Sequence, residues 1–332
     1  TTSFVDGTGK LMVSKKGYSG TRTVYDARGN ATRVTLVDAN GNAIMSTDGY
    51  AGWQSTFDER GSEIEKTYLG TDDQPVESND GPARVRWRYD DRGNHIEQSS
   101  FDRDGKPRID NQGVARYMFE YDARGRKIGV KYFGPDGKRI IGSGTSGERL
   151  KPNERGNLEE VTFIGLADRP ILRDGDRAGW RRTFDERGIE TTATFLGTDG
   201  GPVMIGGGYA TEQNLLDPFG RLVGVAFLDV QKKAVLLPEG YASFSRRLTA
   251  RGDIEEETTR GLNGQPIMTS VGYATWAGTV SPAGHPTGKV FFDAKGNRVK
   301  IPDGYAEWKA EVDDRGNQRE MSYLDLSGKR IL

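Results

Sequence analysis

The sequence contains no cysteine and only two histidines, His95 and His285. Without cysteine there are no disulfides and no thiolate metal sites. A nucleophilic triad needs a histidine beside a nucleophile and an acid, and neither histidine has such a setting. His95 stands five residues and His285 four residues after the start of a repeated turn, which indicates surface positions on strands. We therefore predict that the protein is not an enzyme and that it uses no metal and no cofactor.

Long apolar runs and an excess of one charge are also missing. No stretch approaches the roughly 20 apolar residues that a membrane helix requires. The 47 basic and 48 acidic residues are interleaved and leave a net charge of −1. Such a chain has no bulk attraction to nucleic acid or to anionic lipid. We expect neither nucleic-acid binding nor membrane insertion.

Glycine is abundant, with 46 residues, and it marks a repeat. A turn signature, Asp-x-x-Gly or a variant of it, recurs ten times; eight of the nine intervals are 32 residues and one is 31. The aspartate side chain can accept hydrogen bonds from backbone N–H groups two residues on, and the glycine closes the turn in the left-handed conformation. The ten turns are Asp26–Gly29, Asp58–Gly61, Asp90–Gly93, Asp122–Gly125, Asn153–Gly156, Asp185–Gly188, Asp217–Gly220, Thr249–Gly252, Ser281–Gly284 and Asp313–Gly316.

Two further columns divide each repeat into three short segments. One column is a glycine 15 residues after the turn aspartate, such as Gly41, and the other is Gly-Tyr-Ala, such as residues 49–51. In the repeat 49–80 this predicts strands at Tyr50–Phe57, Ser62–Leu69 and Gln74–Ser78, since each segment is too short for a helix. We expect an all-β array of about ten three-stranded repeats forming a coiled antiparallel sheet or β-solenoid. A closed, β-propeller-like ring is the alternative.

One repeat is irregular, although we treat residues 1–332 as a single array. Around residues 141–156 one residue is missing, and the turn aspartate becomes Asn153. A one-residue change in a strand turns side chains to the opposite face unless a loop absorbs it. We expect Gly142-Ser143-Gly144 to absorb it and 141–156 to be the most mobile or most exposed stretch.

The strings Tyr25-Asp26-Ala27-Arg28-Gly29-Asn30, Tyr89-Asp90-Asp91-Arg92-Gly93-Asn94 and Tyr121-Asp122-Ala123-Arg124-Gly125-Arg126 resemble the Tyr-Asp repeats of Rhs and teneurin-type proteins. The resemblance implies β-hairpins wound into a large spiral sheet. It also implies an extracellular or cell-envelope location, and in some members a shell around a toxin.

Aromatic side chains are the candidate binding residues. Trp53, Trp180, Trp276 and Trp308 share one repeat column with Tyr117, and each is preceded two residues earlier by an alanine. This ladder suits either the core of a thin solenoid or a surface that stacks sugars or grips a peptide, and the small alanine favours core packing. Trp87 lies outside the column and is the better candidate for exposure.

Acidic strings give a weaker signal. Asp38-Ala39-Asn40-Gly41-Asn42 and Asp102-Arg103-Asp104-Gly105-Lys106 resemble the start of calcium loops, but the acidic ligand set is incomplete and turn chemistry explains them better. We expect a non-catalytic binding or structural scaffold module at the surface or in the envelope of a bacterial cell, recognising an extended protein or glycan. The alternatives are a fragment of an Rhs-like toxin shell and a carbohydrate-binding module.

Overall fold

A computed structural model describes residues 1–8 and 11–331. Among these residues there is no helix, and 22 strands are present. They fall into two compact units: one comprises residues 1–156 with 161–171, and the other residues 157–160 with 172 onward. The prediction of an all-β array of antiparallel hairpins is confirmed, and none of its strands exceeds seven residues.

The first compact unit holds ten whole strands. They are β1 Thr2–Ser3, β2 Gly20–Tyr25, β3 Ala31–Val37, β4 Gly52–Phe57, β5 Glu63–Leu69, β6 Arg84–Tyr89, β7 His95–Phe101, β8 Arg116–Tyr121, β9 Lys127–Phe133 and β10 Gly147–Pro152. Each strand pairs antiparallel with the next in the chain, from β1 to β10. Strand β11, Leu158–Ile164, contributes residues to both units.

The second compact unit repeats the same meander. Its strands are β12 Gly179–Phe184, β13 Glu190–Leu196, β14 Thr211–Leu216, β15 Leu222–Leu228, β16 Ser243–Leu248, β17 Ile254–Arg260, β18 Thr275–Val280, β19 Pro286–Phe292, β20 Glu307–Val312, β21 Gln318–Leu324 and β22 Arg330–Ile331. Consecutive strands pair antiparallel from β12 to β22. From β2 to β21 the first strand of each hairpin has six residues and the second has seven, because the second strand carries one extra residue just after the turn, as Glu255 shows in β17.

The turn between β4 and β5 shows why the signature repeats. The Asp58 carboxylate accepts hydrogen bonds from the backbone N–H groups of Arg60 (2.9 Å) and Ser62 (2.8 Å). Gly61 closes the turn with φ at +84°, a conformation that side chains with a Cβ resist. The predicted role of the turn aspartate and glycine is therefore confirmed at this turn.

An arginine inside the turn donates to the backbone of the next turn, as at Arg28, Arg60, Arg92, Arg187 and Arg251. Arg60 Nη1 donates to the backbone oxygen of Asp91 at 2.7 Å, and Arg92 Nη1 donates in the same way to Ala123 at 2.7 Å. This position is arginine in eight of the ten turns: Arg28, Arg60, Arg92, Arg124, Arg155, Arg187, Arg251 and Arg315. We call the row of arginine–carbonyl contacts the turn ladder.

The third segment of the repeat is shorter than predicted. Residues 74–78 do not form a strand, and their pairing with β5 is a single bridge between Leu69 and Pro75. Val76 N donates to Tyr68 O at 3.0 Å, and Pro75 has no N–H to add to the ladder. Repeats with Ala43 or Arg139 at this position also form a single bridge, so the short pairing does not depend on proline. The segment then leaves the sheet edge for the next Gly-Tyr-Ala turn.

Residues 141–156, predicted to be the most mobile or most exposed stretch, are packed in part, since residue 142 and residues 145–147 are buried. Their mobility stays a prediction. Gly142 and Thr145 exchange backbone hydrogen bonds of 2.8 and 3.1 Å around a two-residue turn, with positive φ at Ser143 and Gly144. The predicted absorber is thus confirmed, because this turn is one residue shorter than its counterpart elsewhere. Thr145 and Ser146 are 2% and 0% exposed, and Arg139 donates to the Ser146 hydroxyl at 3.2 Å.

Each repeat places its apolar side chains under the third segment. In the second unit Val225, Phe227 and Leu237 form one buried cluster, and Trp276, Phe291 and Ile301 form the equivalent cluster 64 residues later. The alanine of Gly-Tyr-Ala is buried in every repeat that has it, which lets the segment approach the strands closely. We call the sheet face that carries these clusters the aromatic face and the opposite one the polar face.

Candidate functional site

The predicted aromatic column lies on the aromatic face. Trp53 pairs across its hairpin with Tyr68, and Trp276 pairs with Phe291. The same register joins Tyr117 to Tyr132, Trp180 to Phe195 and Trp308 to Tyr323. Every column residue therefore meets a second aromatic ring on the neighbouring strand.

Burial divides the column between core and surface. Trp276 is 8% exposed and belongs to a core cluster, whereas Trp53, Tyr117, Trp180 and Trp308 are half-buried. Trp87, which we expected to be exposed, is half-buried on the same face, and its Nε1 donates to the Gln98 side chain at 3.2 Å. The candidate residues thus pack on the core with one side and leave the other side accessible.

The tyrosines of Gly-Tyr-Ala extend the aromatic surface along the second unit. Tyr273, Phe291 and Tyr305 contact in sequence, with ring centroids 4.9 and 5.9 Å apart, and Tyr305 contacts Tyr323 at 4.7 Å. Tilted and edge-to-face contacts of this kind stabilise by about 0.5–1.5 kcal/mol beyond area burial. The rings form a continuous row across successive repeats.

A second column on this face, in the middle of the second strand, escaped the sequence reasoning. It holds Val34, Lys66, Gln98, Val130, Val161, Ala193, Val225, Glu257, Lys289 and Met321. The valines and Ala193 are buried, as a core position requires. Lys66, Gln98, Glu257 and Lys289 are half-buried and lie against indole rings. The sequence does contain a signal for this column, because four charged or amide residues interrupt an otherwise aliphatic pattern.

The first interruption forms what we call the Trp53 cluster: Trp53, Lys66, Trp87 and Gln98. The Lys66 ammonium lies 5.8 Å from the ring centroids of both Trp53 and Trp87. Glu63 provides a carboxylate 3.3 Å from the same ammonium. A cation over an indole is attracted by the ring quadrupole, by about 0.5–1 kcal/mol where the site is exposed.

The second interruption is the Trp276 cluster: Glu257, Trp276, Lys289 and Trp308. Lys289 Nζ lies 3.7 Å from the Trp276 ring centroid, and Lys289 pairs across the strands with Trp308. Glu257 accepts from Trp276 Nε1 at 3.2 Å and from Arg246 Nε at 2.7 Å. Burial lowers the pKa of Lys289, and the Glu257 carboxylate partly offsets this.

An open cavity of about 530 Å³ adjoins the Trp276 cluster. Tyr273, Phe291, Tyr305 and Trp308 provide aromatic walls, and Lys289 reaches into it. Its size lies within the roughly 300–1,000 Å³ that is typical of small-molecule sites.

A larger groove, of about 850 Å³, lies near the turns of the first unit. Two ion pairs line it: Arg86 with Glu65 at 2.5 Å and Arg88 with Glu97 at 3.2 Å. The Arg86 guanidinium also lies over the Phe101 ring, at 4.9 Å. Because these groups satisfy one another, the groove is a solvated ion-pair surface.

The acidic strings that resemble calcium loops form tight turns in the structure. Asp38 accepts from the backbone N–H groups of Asn40 and Asn42, at 2.8 and 2.9 Å, and Asp102 does the same for Asp104 and Lys106. Within residues 1–8 and 11–331 no group of three or more His, Asp or Glu side chains is arranged to hold a metal ion. His95 packs between Tyr89 and Phe119, and burial lowers its pKa. In that part of the chain no helix is long and apolar enough to cross a membrane.

Comparisons with known proteins give likeness only to large solved structures. No family model and no curated protein matches the sequence. The structures of TcdB2-TccC3-Cdc42 and TcdB2-TccC3 are similar over 99% of this chain, at 13% sequence identity, with TM-scores of 0.31 and 0.27. The chain spans 17% and 18% of the length of those two chains.

Proposed function

We propose that the chain is a non-catalytic repeat module that binds an extended partner, a protein or a glycan, along the aromatic face. The observation that carries the proposal is the second column. Five repeats fill it with buried aliphatic residues, while Lys66 and Lys289 place ammonium groups there against tryptophans. At both places the ammonium group replaces a buried aliphatic side chain, which packing alone does not require, and this supports recognition.

The repeat geometry supports an extended partner. Equivalent residues of successive repeats lie two strands apart, which corresponds to roughly 10 Å in a hydrogen-bonded sheet. Aromatic rings therefore recur at short intervals along each unit, as the contacts from Tyr273 to Tyr323 illustrate. A polymer with its own repeat can place one residue or sugar on each ring.

Binding of the full chain to printed peptide and glycan arrays tests the proposal. Trp53→Ala should reduce binding by about tenfold or more, the usual effect of removing a central aromatic anchor. Gln54→Ala is the matched control, because Gln54 is the adjacent residue on the polar face and is exposed. No retained probe, or equal losses for the two variants, would overturn the proposal.

The second candidate is a segment of a structural wall, as the resemblance to Rhs-type repeats implies. The turn ladder favours it, since Arg28, Arg60 and Arg92 tie successive turns together along one rim. If the chain is such a wall segment, no probe on the arrays should bind it. The variant in which Arg28, Arg60 and Arg92 are all replaced by alanine should then be digested faster by protease than the original chain. We also propose an extracellular or cell-envelope location, which immunoblotting of culture supernatant, envelope and cytosol of the source cell tests directly.

A further inference from the structure

The cavity beside Trp308 is built from two successive repeats. The turn around Ser270 and Tyr273 forms one side, and the turn from Ile301 to Tyr305 forms the other. Phe291 and Ile301 are buried and form its floor, with Trp308 half-buried beside them. The walls are therefore flat and apolar, with polar groups at the edges.

Polar groups line this cavity, and of these Lys289 already contacts the Trp276 ring. Within the described ranges 1–8 and 11–331, no side-chain hydrogen bond is formed by Ser270, Tyr273, Lys289, Asp303, Tyr305 or Trp308. Other repeats differ: Tyr209 donates its hydroxyl to Glu212 at 2.6 Å, and Tyr117 donates to Asp110 at 2.7 Å. Tyr273, Lys289, Tyr305 and Trp308 are half-buried, whereas Ser270 and Asp303 are exposed to solvent, and a ligand in the cavity can reach all of them.

The equivalent place two repeats earlier lacks the lysine and the tryptophan, although Tyr209, Glu239 and Tyr241 match Tyr273, Asp303 and Tyr305. There the positions of Lys289 and Trp308 are taken by Val225 and Phe244, 64 residues earlier in each case. Val225 is buried in its core cluster, and Phe244 packs against it. The cavity is thus a departure of one repeat from the packing of its neighbours.

We infer that this cavity binds a pyranose unit of a glycan, an inference that rests on the proposed binding function and names its ligand class. A sugar ring has an apolar C–H face that stacks on Trp308 or Tyr305. Its equatorial hydroxyls donate to the Asp303 carboxylate and accept from the Lys289 ammonium. The cavity volume of about 530 Å³ admits one or two sugar rings.

Charge distinguishes this ligand from a phosphate. Lys289 is the one cationic side chain that lines the cavity among the described residues, and Asp303 lines it as well. The Asp303 carboxylate would repel a phosphate, whereas a neutral sugar can use both charges as hydrogen-bond partners. Glu257, behind the Trp276 indole, further reduces the net positive potential.

Glycan-array binding and saturation-transfer NMR with cellopentaose and chitopentaose test the inference on the full chain. Lys289→Met should weaken glycan binding several-fold, and Trp308→Ala should weaken it by about tenfold or more. Lys309→Met is the control, because Lys309 follows Trp308 on the polar face and its side chain is 64% exposed. Since Lys289→Met preserves the size and packing of the side chain, it keeps the test valid if Trp308→Ala fails to fold.

The outcomes separate this inference from the proposal on which it rests. A blank glycan array, together with peptide binding that Trp53→Ala abolishes, overturns the glycan assignment and leaves the binding function standing. Equal losses for Lys289→Met and Lys309→Met also overturn the cavity assignment. If neither the peptide array nor the glycan array shows binding, both the glycan assignment and the proposed binding function are overturned. Glycan binding that depends on Lys289 and Trp308 but not on Lys309 supports the inference.

Discussion

Arg60 and Asp91 lie 31 residues apart in the chain, and the Arg60 guanidinium donates a 2.7 Å hydrogen bond to the Asp91 backbone oxygen. The bond joins one hairpin turn to the next. Where the arginine is replaced by Phe219, Arg221 takes over the contact and donates to Thr249 O at 3.1 Å. The linkage is therefore maintained at this turn although the motif changes, as expected of a contact that stabilises neighbouring turns.

Arg60→Ala should destabilise the first unit by about 1 kcal/mol, the net value of a solvent-accessible hydrogen bond. Arg103→Ala is the control, since Arg103 lies exposed in the other type of turn. Thermal unfolding followed by circular dichroism measures the difference. In Arg60→Ala, hydrogen exchange should also accelerate at the Asp90–Gly93 turn. If both variants lower the stability equally, the turn ladder does not stabilise the fold.

The other turn offers a stabilising change. Lys232 takes the place of the column glycine and has φ at +62°, where a side chain with a Cβ is strained. Lys232→Gly should relieve this and raise the free energy of unfolding by about 0.5–1 kcal/mol, after the added flexibility of the unfolded chain. Gln231→Gly, one residue earlier, should lower the free energy of unfolding, because Gln231 has no positive φ for glycine to relieve. Chemical denaturation measures the change in the free energy of unfolding for both variants. A decrease for Lys232→Gly would contradict the strain argument.

The hairpins could be predicted from the sequence because turn chemistry is local. Asp58 and Gly61 act within a five-residue segment, so their spacing alone gives the strand boundaries within two residues. The turn ladder and the second column could not be derived in that way. Arg60 acts on a carbonyl 31 residues away, and Lys66 reaches Trp87 on the neighbouring hairpin. Both contacts depend on how neighbouring repeats align, which a list of columns does not specify.

The irregular repeat is a second place where the sequence alone did not predict the packing. A missing residue with Gly142 and Gly144 predicted an exposed loop, since glycine-rich stretches are flexible in unfolded chains. The structure instead uses the shortened turn to bury Thr145 and to place Ser146 where other repeats have alanine. Tertiary packing therefore decides what this stretch does.

Limited proteolysis with proteinase K should leave residues 142–147 intact in the early digest. Thr145 and Ser146 are buried, and Ser146 N donates to Ile164 O at 2.7 Å, so cleavage requires local unfolding of a paired segment. Mass spectrometry of the first fragments locates the cuts. The Ser146→Asp variant, which buries a charge at this position, should make the segment susceptible. First cleavage within 142–147 of the original chain would contradict the packed turn.

Tyr117 provides a pH test of the aromatic face. Its hydroxyl donates to the Asp110 carboxylate at 2.7 Å, and burial, followed by this hydrogen bond, raises the pKa of Tyr117. The folded chain therefore holds this proton to a higher pH than the unfolded chain, whose tyrosines titrate near about pH 10. The stabilisation is complete below that value and is lost as the pH rises towards the folded-state pKa.

Tyr117→Phe should consequently make the free energy of unfolding fall less steeply with pH above about pH 10. At neutral pH the same variant should be less stable, because it loses the hydrogen bond to Asp110, by about 1 kcal/mol. Urea unfolding on both sides of the tyrosine range measures the two slopes. Tyr25→Phe is the control, since Tyr25 is 62% exposed, and its slope should match that of the original chain. If Tyr117→Phe and Tyr25→Phe give the same slope, the Tyr117 hydroxyl is not held by Asp110 in solution, and the aromatic face is more open around Tyr117 than the contacts describe.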